Sequence, residues 1–174
     1  MKCAVKCVSR FLVATPLLFS IAACSEQADL SRDINSPRIP SDLIVLDVYK
    51  SRTCGCCKKW IDHAEGMGIE ADVHHPSDLN KIKIDQKIEP RYQSCHTAIS
   101  TDGYVFEGHI PAEVIQKFLA SPPKDAIGLA VPGMPVGSPG MEVGDRFDPY
   151  DVLLLKKDGS SEVYQHISKP LIAK

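Results

Sequence analysis

What the chain lacks narrows its function first. It has no excess of positive charge: 20 Lys and Arg stand against 22 Asp and Glu. Without Lys2, Lys6 and Arg10 the basic side chains fall from 20 to 17, a net of about −5. A nucleic-acid partner would need a positive surface to neutralise phosphates, and none is present. No basic stripe suits a membrane surface either. No apolar run is long enough to span a bilayer as a stable helix, and no internal repeat is visible. The apolar fraction of 44% is ordinary for a globular core.

What is present begins with a leader. Lys2, Lys6 and Arg10 precede the apolar run "FLVATPLLFSIAAC" at residues 11–24, the layout of a secretory signal. Its end, Ile21-Ala22-Ala23-Cys24, resembles the lipobox of bacterial lipoproteins, in which the cysteine becomes the lipidated N-terminus. The alternative is ordinary cleavage after a small residue nearby. Lipidation of Cys24 would tie the protein to a membrane through acyl chains alone. Ser25 after that cysteine favours the outer membrane over the inner one. Residues 1–23 are thus read as a lipoprotein signal peptide of a periplasmic protein. Residues 24–41, polar with two prolines and no apolar period, are read as a flexible tether.

Seven cysteines are then easily divided. Cys3 and Cys7 leave with the leader and Cys24 carries lipid, so Cys54, Cys56, Cys57 and Cys95 remain for chemistry. In an oxidising compartment cysteines normally pair. Bridges within the "TCGCC" stretch would close loops too small to constrain the chain, so a structural disulfide framework explains little. Redox cycling or metal binding explains more.

The remaining pattern predicts an α/β domain. Residues 43–50, "LIVLDVYK", form a near-continuous apolar strand of the kind buried on both faces. A helix follows, with Trp60, Ile61, Ala64 and Met67 at helical spacing and Gly66 and Gly68 at its end. "IEADVHH" is a second strand stopped by Pro76, and Ser77 caps a weaker helix running to about Ile88. "HTAIS" and "YVFEGHI" make a hairpin around Thr101-Asp102-Gly103. Pro111 opens a third helix bearing Val114, Ile115, Phe118 and Leu119 on one face. This βαβαββα order, over residues 42–122, is a thioredoxin-like layout. Residues 123–174 form a C-terminal extension: a Gly/Pro-rich loop over residues 128–150, then a β-hairpin turning at Asp158-Gly159.

That order puts three cysteines at the amino end of the first helix. Unpaired N–H groups and the helix dipole there favour thiolates, and Lys58 and Lys59 add positive charge. Two thiolates suffice for a dithiol–disulfide switch. A third beside them is costly unless a cation neutralises it, so the crowding points to a soft metal shared among sulfurs that are not bonded to each other. Cys95-His96, at the start of the third strand, lies beside the same junction. Met134 and Met141 sit seven residues apart in the loop. Thiolate with thioether selects Cu(I), whereas zinc takes Cys and His and rarely Met. A Cys₃His zinc site from Cys54, Cys57, Cys95 and His96 remains open, and gains ground if both methionines merely pack. No proline stands between Ser94 and Ser100, where thioredoxins carry a cis-proline facing their cysteines.

Five motifs in order, "KSRTCGCCKKW", "SCHTAI", "GYVFEGHIPAEVI", "GLAVPGMPVGSPGME" and "PYDVLL", resemble the CopG-type proteins of bacterial copper-resistance clusters over residues 43–166. The resemblance implies a thioredoxin-like fold with a metal-binding C-terminal extension. It also implies several Cu(I) ions per chain, held as a thiolate-bridged cluster and interconverted with Cu(II) in support of copper export. Carried over, Cys54, Cys56 and Cys57 match the CxCC thiolates. Cys95 and His96 match "SCHTA", and Met134 and Met141 match "PGMPVGSPGM". Copper ions and copper-efflux components are then the expected partners of a monomer.

Two other functions stay open. One is a thiol–disulfide oxidoreductase using Cys54 and Cys57. The other is a structural zinc domain acting as an adaptor. Among the histidines, His63 is expected on the solvated surface, and His74 and His75 point to opposite faces of one strand. His109 is weighed as a residue behind the ligands, and nothing in the spacing draws in His166. Trp60 is expected in the core.

Overall fold

The computed structural model describes residues 43–171. The 1–23 leader, Cys24 and the 24–41 tether lie outside the described residues. No helix among the described residues is long and apolar enough to cross a membrane.

The strand at Ile44–Lys50 (β1) is followed by a helix at Gly55–Gly66 (α1) and a second strand at Ile69–His74 (β2). A short helix at Leu79–Asp85 (α2) and a 3₁₀ turn at Pro90–Tyr92 lead into His96–Ser100 (β3) and Val105–Glu107 (β4). After the helix Ala112–Ala120 (α3) come three strands: Ala126–Ala130 (β5), Tyr150–Lys156 (β6) and Ser161–Ile167 (β7). All seven strands form one sheet in the order β2-β1-β3-β4-β5-β6-β7. β1 runs parallel to β2 and β4 parallel to β5, and the other pairs are antiparallel. The chain is thus a mixed α/β protein, and its first seven regular elements follow the expected βαβαββα order.

Local sequence accounts for the helices. In α1, Cys57, Trp60, Ile61 and Ala64 are buried, a stripe at spacings of three and four that faces the sheet. Its last turn closes with the Met67 N–H on the Ala64 carbonyl, and Gly68 follows at φ +82°. In α3, Val114, Ile115 and Phe118 are buried, with Pro111 at the N-cap position. Both stripes join Leu46, Val48, Phe106, Leu129 and Val152 in one core. Alternate residues of the same strands, Val105, Ala130 and Leu155, form a smaller cluster with Ile88 and Tyr92 on the other face.

Three expectations change. β1 is not buried on both faces: Leu46, Val48 and Lys50 are buried, whereas Val45, Asp47 and Tyr49 are half-covered. The two-turn α2 and the 3₁₀ turn that follows cover that second face only in part. That helix is capped by Asp78, whose carboxylate accepts the Lys81 N–H at 3.1 Å, and not by Ser77. It ends at Asp85, short of Ile88. Finally, the loop expected from Gly128 begins after Ala130, because Ala126–Ala130 inserts as β5 between β4 and β6. Through β5 the C-terminal hairpin becomes part of the main sheet, and that hairpin turns at Asp158-Gly159 as expected.

β5 depends on Gly128, which lies opposite Val105 in the ladder. A Cβ on Gly128 would sit 1.8 Å from the Val105 carbonyl oxygen. Gly128→Ala is therefore expected to force the two strands apart and cost about 1–3 kcal/mol. Urea denaturation would read this as a lower midpoint with little change in slope; an unchanged midpoint would contradict the close approach.

Candidate metal centre

Cys54 stands in extended conformation at the N-cap of α1, where its sulfur accepts the Cys57 N–H at 3.3 Å. One helical turn separates the two residues, and their Cα atoms lie 5.4 Å apart. The sulfurs are joined there as a disulfide. This corrects the expectation that the crowded sulfurs avoid bonding to one another: i and i+3 on a first turn bring two sulfurs within bonding reach, so the pair has an oxidised form. Cys56 and Cys95 carry free thiols. Cys56 Sγ is 3.5 Å from Cys54 Sγ, and Cys57 Sγ is 3.4 Å from Cys95 Sγ. All four sulfurs lie within 4.8 Å of one another.

Cys95 reaches this group through the sheet. β3 pairs with β1 so that His96 lies opposite Lys50, which sets Cys95 beside the turn that leads into α1. β3 also pairs with β4, Thr97 opposite Glu107. The same antiparallel register, continued two residues beyond the ladder, sets Cys95 opposite His109. Gly108, between Glu107 and His109, has φ +81°, and a Cβ there would meet Ser94 and the Val131 carbonyl at 2.6 Å. The strand end thus turns without a side chain in the way.

The resulting contacts are short. His109 Nε2 lies 2.9 Å from Cys95 Sγ, and His109 Nδ1 lies 2.7 Å from the Pro139 carbonyl. A carbonyl only accepts, so Nδ1 carries the proton and Nε2 presents its lone pair to the sulfur. His96 Nδ1 is 3.5 Å from the same sulfur. His96 is fully buried between Trp60 and His109, with ring centroids 4.4 and 5.0 Å away, and its Nε2 has no hydrogen-bond partner among the described residues. A second donor group, Cys95, His96 and His109, therefore overlaps the four sulfurs at Cys95.

Burial governs the protonation of these groups. It pushes the Cys95 thiol up to about 12, with the neighbouring Cys56 adding to the shift. Burial also holds His96 well below the usual histidine range, helped by the positive charges of Lys83 and Lys50. His109 is lowered by burial against the raising effects of its Pro139 bond and Glu142. Both imidazoles are neutral bases, the form in which histidine binds metal. Thiols and neutral imidazoles are soft and borderline donors, and a buried imidazole nitrogen with its lone pair unused has the chemistry of a metal ligand.

The methionine loop packs over this group. The Gly133 N–H donates to the Gln93 carbonyl at 3.1 Å, and the Ser94 hydroxyl donates to the Gly133 carbonyl. A Cβ on Gly140 would lie 2.6 Å from the Cys56 carbonyl oxygen, so that glycine rests directly on the first turn of α1. Met134 thus follows a residue anchored to the Gln93–Ser94 segment, and Met141 follows one seated on Cys56. Met134 is 51% exposed and Met141 half-buried.

The other histidines stand apart. His63 is not the solvated group expected: it is half-buried, and its Nε2 accepts the Ala112 N–H at 3.1 Å, satisfying the start of α3 where Pro111 offers no side-chain cap. Burial lowers its pKa. His74 pairs with Asp47 at 2.7 Å, and His75 donates to the Lys50 carbonyl at 3.1 Å. Exposed His166 pairs with Asp151 on the C-terminal hairpin. Trp60 is core, as expected, with its indole N–H on the Ile110 carbonyl at 2.8 Å. His109 is the residue that sequence reasoning undervalued, although the Thr101-Asp102-Gly103 turn already implied its register with Cys95.

The chain is similar to two solved structures described as copper resistance protein copG, forms 2 and 1. Each is 41% identical to it, and the similarity covers 72% of this chain. It covers 99% and 98% of theirs, with TM-scores of 0.69 and 0.68. A family model for a protein of unknown function, DUF411, matches residues 92–141, from Tyr92 through Cys95, His96 and His109 to Met141. No curated protein matches the chain.

Of the three histidines that burial depresses, His96 and His109 at the site, like His63, make stability depend on pH with a definite sign. Below about 6.5 the unfolded chain takes up protons on His96 and His109 that the folded protein refuses. Their contribution is therefore complete above about pH 6.5 and is lost as pH falls. Urea denaturation of the metal-free protein should show up to about 1.4 kcal/mol lost per pH unit for each histidine between pH 6.5 and 5. His96→Gln should flatten that slope; equal slopes in both proteins would contradict the assignment.

Proposed function

Because this chain belongs to the CopG family of copper-resistance proteins, we propose that it binds copper as Cu(I), several ions per chain, in a thiolate-bridged cluster. The supporting observation is the donor inventory: four sulfurs within 4.8 Å of one another, joined at Cys95 by two buried neutral imidazoles. One tetrahedral ion takes four donors, and here there are six before any methionine is counted. A single Cys₃His zinc site would leave Cys56 and His109 unused. Cys54, Cys56, Cys57 and Cys95 are the proposed thiolate ligands, with His96 and His109 as nitrogen ligands and Met134 and Met141 as thioether ligands from the loop.

In the disulfide form two of the sulfurs are bonded to each other. Copper uptake therefore requires two electrons to open the Cys54–Cys57 bridge. The chain's own groups then act on the cargo in distinct ways. The amino end of α1 stabilises thiolates, the Nδ1–H bond to Pro139 keeps His109 Nε2 available, and the loop shields the group from bulk water. The family resemblance extends this reading to interconversion of Cu(I) and Cu(II) and to exchange with copper-efflux components. The leader motif extends it to a periplasmic protein anchored through lipid on Cys24, with the outer membrane favoured over the inner.

A second reading has its own observation. The Cys54–Cys57 bridge at a helix N-terminus is the arrangement of a thiol–disulfide oxidoreductase. The two separate cleanly. Anaerobic titration of the reduced protein should give more than one Cu(I) per chain, with sulfur–copper scattering in X-ray absorption and a lower stoichiometry in Cys56→Ser. Insulin reduction that survives Cys56→Ser and Cys95→Ser, without copper retention, would favour the oxidoreductase.

The anchor has a separate check. Cys24→Ser should move the protein from the membrane fraction to the soluble periplasmic extract. An unsubstituted protein already released by osmotic shock would overturn lipid attachment.

A further inference from the structure

Glu107 is fully buried, and its ion-pair partner among the described residues, Lys83 of α2, is 3% exposed. Such a pair is poor value as a source of stability, because desolvating both charges offsets most of their attraction. Its hydrogen bonds suggest another use. Glu107 Oε1 accepts the backbone N–H of Ser94 at 2.6 Å as well as the Lys83 ammonium. Glu107 Oε2 accepts the Thr97 hydroxyl at 2.6 Å, and that hydroxyl oxygen accepts from Lys83 Nζ at 3.0 Å.

Ser94 and Thr97 are the residues immediately before and after Cys95-His96. Glu107 also lies two residues before His109 on its own strand end. One carboxylate thus spans the segment carrying two proposed donors and is covalently linked to the third. Ser94 passes the constraint on, through its hydroxyl, to Gly133 beside Met134.

We infer that Glu107, neutralised by Lys83, is a positioning residue that fixes Cys95 and His96 against His109 for copper binding. The inference rests on the copper reading above. The chemistry calls for a carboxylate because three donors converge on it, namely an N–H, an O–H and an ammonium, and only an acceptor-only group takes all three. None of these residues need touch the metal. Their effect is to hold Ser94 and Cys95, which lie outside the strand ladders, in line with His96 at the start of β3.

Two double substitutions isolate the role. Lys83→Met with Glu107→Gln removes both charges but keeps both bonds: the amide oxygen accepts from Ser94, and the amide NH₂ donates to the freed Thr97 oxygen. Lys83→Met with Glu107→Leu removes the charges and both bonds, the kind of apolar replacement that buried ion pairs tolerate. Each reduced protein is titrated anaerobically with Cu(I) against a competing Cu(I) chelator, and amide hydrogen exchange is followed on the copper-free form.

The glutamine variant should hold Cu(I) within about 3-fold of the parent and the leucine variant about 10-fold or more weaker, with both unfolding cooperatively. In the copper-free protein, amides of residues 94–97 should exchange faster in the leucine variant alone. Parent-like affinity and exchange in the leucine variant would overturn the inference, as would equal losses in both variants. Should the leucine variant not fold, Ser94→Pro removes the N–H donor, with Ser94→Ala as the control for the hydroxyl. The backbone before it, Gln93 at φ −75° and ψ 149°, accommodates a following proline. A parent that fails to retain Cu(I) would sink the copper reading itself. The exchange contrast would then decide the positioning role alone.

Discussion

Six soft donors crowd one volume, Cys57, His96 and His109 buried and Cys54, Cys56 and Cys95 half-buried, and the protein must keep them there without letting them charge independently. The buried ones would gain from solvent if they could reach it. Burial therefore raises the Cys95 thiol and depresses the two imidazoles, leaving neutral or proton-bearing groups with unused lone pairs. The rest of the structure supplies the means of holding them. Two strand ends bring Cys95 and His109 face to face, the amino end of α1 brings three sulfurs over them, and the loop between β5 and β6 covers the side that remains.

The architecture divides the work between rigid and irregular parts. β1, β3 and β4 are hydrogen-bonded neighbours, and the donors come from the turn and helix after β1, the start of β3 and the residues after β4, so the site lies at one end of these ladders. Backbone beyond a ladder has lost its pairing and needs other partners. Those partners are specific: the Pro139 carbonyl for His109, the Gly133 carbonyl for the Ser94 hydroxyl, and the Glu107 carboxylate for the Ser94 N–H. The Gly/Pro-rich loop is therefore structural as well as a source of candidate thioethers, since Gly140 rests on the helix turn that carries the cysteines. The Cys54–Cys57 bridge adds a redox condition to the same geometry, because oxidation removes two donors at once.

Much of this was legible in the residues before any coordinates. Apolar runs bounded by turn residues, together with helical spacing, located the first seven elements, and the TCGCC stretch announced the sulfur cluster. Failures occurred where local pattern carried little information. β5, with the sequence Ala-Ile-Gly-Leu-Ala, is short and contains a glycine, so it reads as loop; only a close approach to Val105 makes that glycine necessary. His63 reads as surface because its helical position says nothing of the Ala112 N–H waiting 49 residues later. The disulfide is not legible from the small size of its loop, because an argument about stability does not bear on whether two sulfurs one turn apart will react.

Taken alone, the order of residues determined the class of fold, the cysteine turn at a helix start, and the soft character of the chemistry. These depend on neighbours a few positions apart, and local spacing dictates them. Tertiary structure decided that His109 stands against Cys95, that His96 is buried with a free nitrogen, and that Glu107 links the segments bearing them. Those relations join residues distant along the chain through strand register and burial, quantities that exist only once the sheet has closed.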